Sequence, residues 1–199
     1  MARHPELAGR CELEEAQQGI SALQFWRALA SNHHRELQLF MGSPRAGVDM
    51  FFKLGDVLHD IVSVIMIMNN TISIAFFHEV LNVLEALIGG PCKENQRKLA
   101  GSVVVPELGR LLYNVESITS EIMPQFVDEF HGKPHGTFTA APGLTHLDVD
   151  QVIAIKKGIY KMFGALLDGS DPDVAKSLLP HINAVCLLRD MFQVPNNLQ

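Results

Sequence analysis

Apolar residues recur along most of this chain at steps of three and four, the spacing that gathers them on one face of an α-helix; no two-residue alternation persists anywhere. The predicted fold class is therefore all-α, with about eight helices. The first helical pattern covers about Glu12–Ser31, with Ile20, Leu23, Trp26 and Ala30 as its stripe and Glu14, Glu15, Gln17 and Gln18 early in it. Asn32 is a suitable N-cap for a short second helix on which Leu37, Phe40 and Met41 face one way. The cluster 42–47 breaks the chain. A third helix is expected over Val48–Met68, apolar nearly all round and so buried on most sides. After Asn69 and Asn70 a fourth covers Thr71–Ile88, with Phe76, Val80, Val83, Leu84 and Leu87 as its core stripe.

The stretch Gly89-Gly90-Pro91-Cys92-Lys93-Glu94-Asn95-Gln96 then turns the chain. Two glycines can take the positive φ that ends a helix, a proline suits the first turn of the next, and Glu94 stands where negative charge favours a helix start. On these grounds it is a tight structural corner between packed helices. A short helix over about Pro91–Ala100 follows. Another covers about Val105–Thr119, with Leu108, Leu111, Leu112 and Val115 inward, and 121–130 either continues it or forms a separate helix after Pro124. His131–Leu147, rich in glycine and proline, reads as a long surface loop. Helical spacing returns over Asp148–Leu167, with Val152, Ile155, Ile159, Phe163 and Leu166 on one face and Lys156, Lys157 and Lys161 off it. A break at Gly169–Pro172 starts another helix at Asp173, and a last one is expected over His181–Phe192. Residues 1–10 read as a flexible start, 11–193 as one domain and 194–199 as a tail. Antiparallel helices joined by short corners suggest an armadillo-like α-solenoid or, since no repeat period emerges, a helical bundle.

Composition changes this picture little. At 199 residues, with 47% apolar and 19% charged residues, the chain is long and apolar enough to bury a core. A net charge of −6 argues against a nucleic-acid partner. Cys11, Cys92 and Cys186 are odd in number and far apart, which suits a reducing compartment better than a disulfide framework. The polar start lacks the apolar region of a signal peptide. The most membrane-like stretch, Val57–Phe77, is interrupted by polar residues and reads as buried core rather than a span.

Candidate chemistry is sparse. His131, His135 and His146 share the loop without a convincing partner set, so no metal site is expected. His78-Glu79-Val80-Leu81-Asn82 misses the second histidine of a helical zinc-protease motif. His33 and His34 are adjacent and point apart on a helix, a poor chelate. No phosphate loop or nucleophile constellation stands out. Asp171-Pro172-Asp173 reads as a cap with first-turn charge rather than a calcium loop. Lys156, Lys157 and Lys161 form a small basic strip, either a solvated face or a docking surface for an acidic partner. No catalytic residue and no cofactor are expected.

Three blocks carry a resemblance: Leu29-Ala30-Ser31-Asn32-His33-His34-Arg35-Glu36-Leu37-Gln38-Leu39-Phe40; the corner with its approach, Leu84 to Gln96; and Lys156–Leu179, where a leucine-rich helix ends in Leu166-Leu167-Asp168-Gly169. In this order they resemble the RIH-associated domain of the inositol trisphosphate and ryanodine receptors, the intracellular calcium-release channels, across roughly residues 20–190. Residues 43–70 match poorly and the loop at 131–147 is this chain's own. The resemblance implies a cytosolic regulatory and structural domain that relays conformational change by packing on neighbouring domains or subunits, at the endoplasmic reticulum and as part of a homo-tetramer if it belongs to a channel. The alternative is a free-standing protein-binding scaffold. The resemblance marks Gly90, Pro91, Cys92, Lys93, Glu94, Asn95, Gln96, Asn32 and His33 as candidate interaction positions. It assigns inositol trisphosphate to no residue here.

Overall fold

The computed structural model describes residues 5–31, 34–43, 49–68, 70–90, 92–122, 147–169 and 172–182. These form α1 (Pro5–Ala30), α2 (Arg35–Met41), α3 (Met50–Ile67), α4 (Thr71–Ile88), α5 (Lys93–Ala100), α6 (Val104–Ile122), α7 (Val149–Leu167), α8 (Pro172–Leu178) and a closing 3-10 turn, Leu179–His181, with no strand among the described residues. The all-α expectation holds. Most of the loop at 131–147, the body of the last helix and the tail at 194–199 lie outside the described residues, as do Asn32, His33 and Pro91. Of that loop, Leu147 is described and is buried. His181, expected to open the last helix, closes the 3-10 turn instead.

Helix starts follow local chemistry. The Asp49 side chain accepts from the N–H groups of Phe51 and Phe52 at the head of α3, and Asn70 accepts from Ile72 and Ser73 at the head of α4. Asp148 and Gln151 form a reciprocal capping box on α7. The first helix begins at Pro5, inside the stretch expected to be a loose start, and proline suits a first helical turn. The second begins at Arg35, so its N-cap position is His34 and not Asn32.

The arrangement is a bundle around α4. This helix packs against α1, α2, α3, α5 and α7, whereas a solenoid repeat meets only its neighbours in the stack. Val80, Val83, Leu84, Leu87 and Ile88 of α4 are buried, and they meet one continuous core that takes in Leu58, Val62 and Ile65 of α3, Leu108, Leu111, Leu112 and Val115 of α6, and Ile155, Ile159 and Leu166 of α7. Among the described residues α4 is also the one helix long and apolar enough to cross a membrane. Its place at the centre of the packing, with helices on several sides, explains that composition. The Val57–Phe77 stretch is split between α3 and α4 and is not a single helix.

Several stripe positions depart from expectation. Ile20, Leu23 and Ala30 are buried on α1, but Trp26, at the edge of that stripe, is exposed; so is Phe40 on α2, and Phe76 is only partly buried. Lys156 is the reverse case. It stands four residues after Val152 and three before Ile159, which puts it on the core face, and it is buried. Its long apolar stem makes that tolerable. The basic strip is therefore Lys157 and Lys161 alone.

Candidate functional site

The corner is built from backbone groups that helices leave over. The last turn of any α-helix has carbonyls with no partner inside the helix. At the end of α4, Gly89 is extended (φ −62°) and Gly90 takes the positive φ (72°), so one glycine and not two makes the left-handed turn. Cys92 occupies the N-cap position of α5 without a side-chain capping bond and is buried. Burial pushes its thiol pKa up and favours the neutral thiol, against a smaller opposite pull from the Asn95 backbone N–H.

From α5, three polar side chains reach into the ends of other helices. The Asn95 Nδ2 group donates to Leu87 O of α4 and to Gln38 O of α2, both at 2.9 Å. The Gln96 Nε2 group donates to Ala165 O at 3.3 Å and Asp168 O at 2.9 Å, at the end of α7. Lys98 Nζ donates to Gly42 O, at the end of α2, at 2.7 Å. A fourth side chain completes the set: Gln38 Nε2, from α2, donates to Ala86 O at 2.6 Å and Gly89 O at 3.0 Å. The eight-residue α5 thus clasps the C-terminal ends of α2, α4 and α7 together. Gln38, Asn95 and Gln96 are all buried. Each amide's two donors face two carbonyl oxygens, which fixes the orientation of the group, and each leaves its own oxygen buried without a partner.

This geometry divides the sequence candidates. Asn95 and Gln96 point into the fold and offer nothing to a docking partner. Lys93 and Glu94 are exposed, as is Gly90, and Glu94 makes only a long, solvent-facing ion pair with Arg35 at 3.8 Å. Asn32, His33 and Pro91 lie outside the described residues. Gln38, the partner of the corner, is not marked by helical spacing; its one signal is a polar residue set between Leu37 and Leu39.

A second feature is a groove beside the corner. Two cavities, of about 900 and 300 Å³, share Asn82, Glu85 and Lys161 as lining. Their floor is the polar stripe of α4, including His78 and Asn82; α7 forms one wall, and the end of α1 closes the larger cavity on the other side. Arg27 of α1 pairs with Glu79 at 3.2 Å, and Lys161 of α7 pairs with Glu85 at 2.6 Å. His78, in the would-be zinc-protease segment, is half-buried, and burial lowers its pKa against a smaller upward pull from Glu79. No group of three or more metal-ligating side chains assembles among the described residues. His131, His135 and His146 lie outside them.

Comparison with known proteins places part of the chain in a family. The family model described as RyR and IP3R Homology associated matches residues 14–112, about half of the chain, from α1 into α6. It takes in the first two blocks of the resemblance, including Gln38 and the whole corner. The third block, Lys156–Leu179, lies beyond it. Among curated proteins and among solved structures nothing matches the chain.

Proposed function

Since residues 14–112 belong to the RyR and IP3R Homology associated family, we propose that this chain is a regulatory and structural helical module of the kind found in intracellular calcium-release channels. It works without catalysis, by packing against neighbouring domains or subunits and passing on their displacements. Its place is then the cytosolic face of the endoplasmic reticulum. The observation that carries this reading is the family match over the clasped corner. A relay must move as a unit, and side chains that tie the ends of three helices together favour movement of the bundle as one body.

Exposed apolar residues support a packing role. Phe25, Trp26 and Leu29 lie within one turn of each other on α1 and are all exposed, as Phe40 is on α2. Aromatic side chains of this kind are favoured at protein interfaces. They serve the alternative scaffold reading equally, so the experiment must ask for the channel itself. The tagged chain is expressed in cells and endoplasmic-reticulum membranes are solubilised in mild detergent. Co-purification with an inositol trisphosphate or ryanodine receptor, lost in the Phe25→Asp variant, is the expected result. Recovery of the folded chain free of both receptors would leave the scaffold reading in its place.

A further inference from the structure

We propose that the groove between α7 and the polar stripe of α4 is a docking site for an acidic, extended segment of a partner protein. This goes beyond the channel reading and stands without it.

The first argument is the distribution of charge. The groove carries both signs, but at different depths. The side chain of Glu85, which lines both cavities, is 31% exposed and that of its partner Lys161 62%; Arg27, whose partner Glu79 lies outside the lining and is 16% exposed, is 42% exposed. Lys157, exposed one turn before Lys161, makes no ion pair among the described residues and adds to the same rim. The carboxylates lie low and the cations stand out, so an incoming chain meets positive charge on both sides although the whole protein carries a charge of −6. Asp168 is the acidic group at the mouth, and it stands at the far end beside Gly89 and Gly90, where α4 and α7 finish. The basic section is therefore the middle of the groove.

The second argument is the floor. Asn82 lines both cavities and makes no hydrogen bond among the described residues. Its amide offers donors and an acceptor side by side, the complement of a backbone peptide group. A small anion would use the lysines and leave this amide idle.

The third argument is length and clearance. On α7 the lining runs from Ala154 to Asp168, about 20 Å at the helical rise. That is the span of about six residues of extended chain. Ala154, Gly164 and Ala165 keep this wall low, while Gly158 between them lies close against His78 and Leu81 at the floor. A Cβ built on Gly164 would meet nothing within 4 Å, so the wall opens there to free space.

The test selects random short peptides from a display library against the purified full chain. The best sequence is then measured as a fluorescently labelled peptide against wild type, Lys157→Glu and Gly164→Leu. Lys157 is exposed and Gly164 faces open space, so both variants should fold, and circular dichroism checks that they do. The selected peptides should carry clustered aspartate and glutamate, and their binding should weaken with salt. Charge reversal at Lys157 should lower affinity by about five- to tenfold, and the leucine at 164 should lower it further by filling the groove. Selection of no binder, of binders without acidic residues, or of acidic binders indifferent to Gly164→Leu would overturn the proposal. None of these results touches co-purification with a channel, so the two readings fail separately.

Discussion

Asn95 and Gln96 follow directly after Lys93 and Glu94, yet the two pairs do opposite work. The lysine and glutamate stand in solvent, while the two amides spend their donors on carbonyls of α2, α4 and α7. Removing a buried partner leaves the desolvated group on the other side unpaid. Asn95→Ala should therefore cost about 2–3 kcal/mol in denaturant unfolding. Lys93→Ala and Glu94→Ala should stay within about 0.5 kcal/mol. Equal effects at all three would deny the clasp. Titration adds a second expectation. Burial holds His78 and His181 below the ordinary histidine pKa of 6.5. The unfolded chain then takes up protons that the folded chain refuses, so stability is complete above that value and declines as pH falls through it. Unfolding midpoints should be lower at about pH 5 than at about pH 7.5, and His78→Gln should flatten part of that slope. A midpoint rising toward acid would contradict this assignment.

At the scale of elements, glycines show where helices approach. A Cβ on Gly42 would run into the Asn95 side-chain oxygen and the Phe51 ring, while Gly164, on the same helix as the tightly packed Gly158, has open space. Gly42→Ala should lose about 1–3 kcal/mol through overpacking. Gly164→Ala should gain about 0.5–1 kcal/mol, because alanine is the better helix former and meets no obstacle. Thermal melts of the two variants distinguish these signs. The elements themselves were largely legible in the sequence. Thr71–Ile88 is the helix its spacing predicts, because a capping asparagine and a glycine bracket a single apolar run. Lys156 and Trp26 depart from expectation for a common reason: angular position on the helix, and not residue type, sets which of them is buried. Gln38 was illegible for a different one. A glutamine among leucines resembles any solvated position until another helix brings unpaired carbonyls to it. The groove was illegible too, since α7 reaches α4 only by folding back across the chain.

At the scale of the whole molecule, α4 is the hub and α5 the clasp. The family match ends at residue 112, inside α6, but Gln96 holds α7, which lies beyond it. The matched half is thus tied to the rest of the bundle through its own corner, by buried hydrogen bonds to the ends of α2, α4 and α7. Exposed apolar residues on α1 and α2 give such a body a face to pack on. The measurement that tests the channel account most directly is release of stored calcium from endoplasmic-reticulum microsomes, triggered by inositol trisphosphate or by a ryanodine-receptor agonist, with and without the purified folded chain. A packing module of these channels should change the rate or extent of release in a dose-dependent way, and the Phe25→Asp variant should not. Release curves that coincide at every concentration of folded chain, for both triggers, would contradict it.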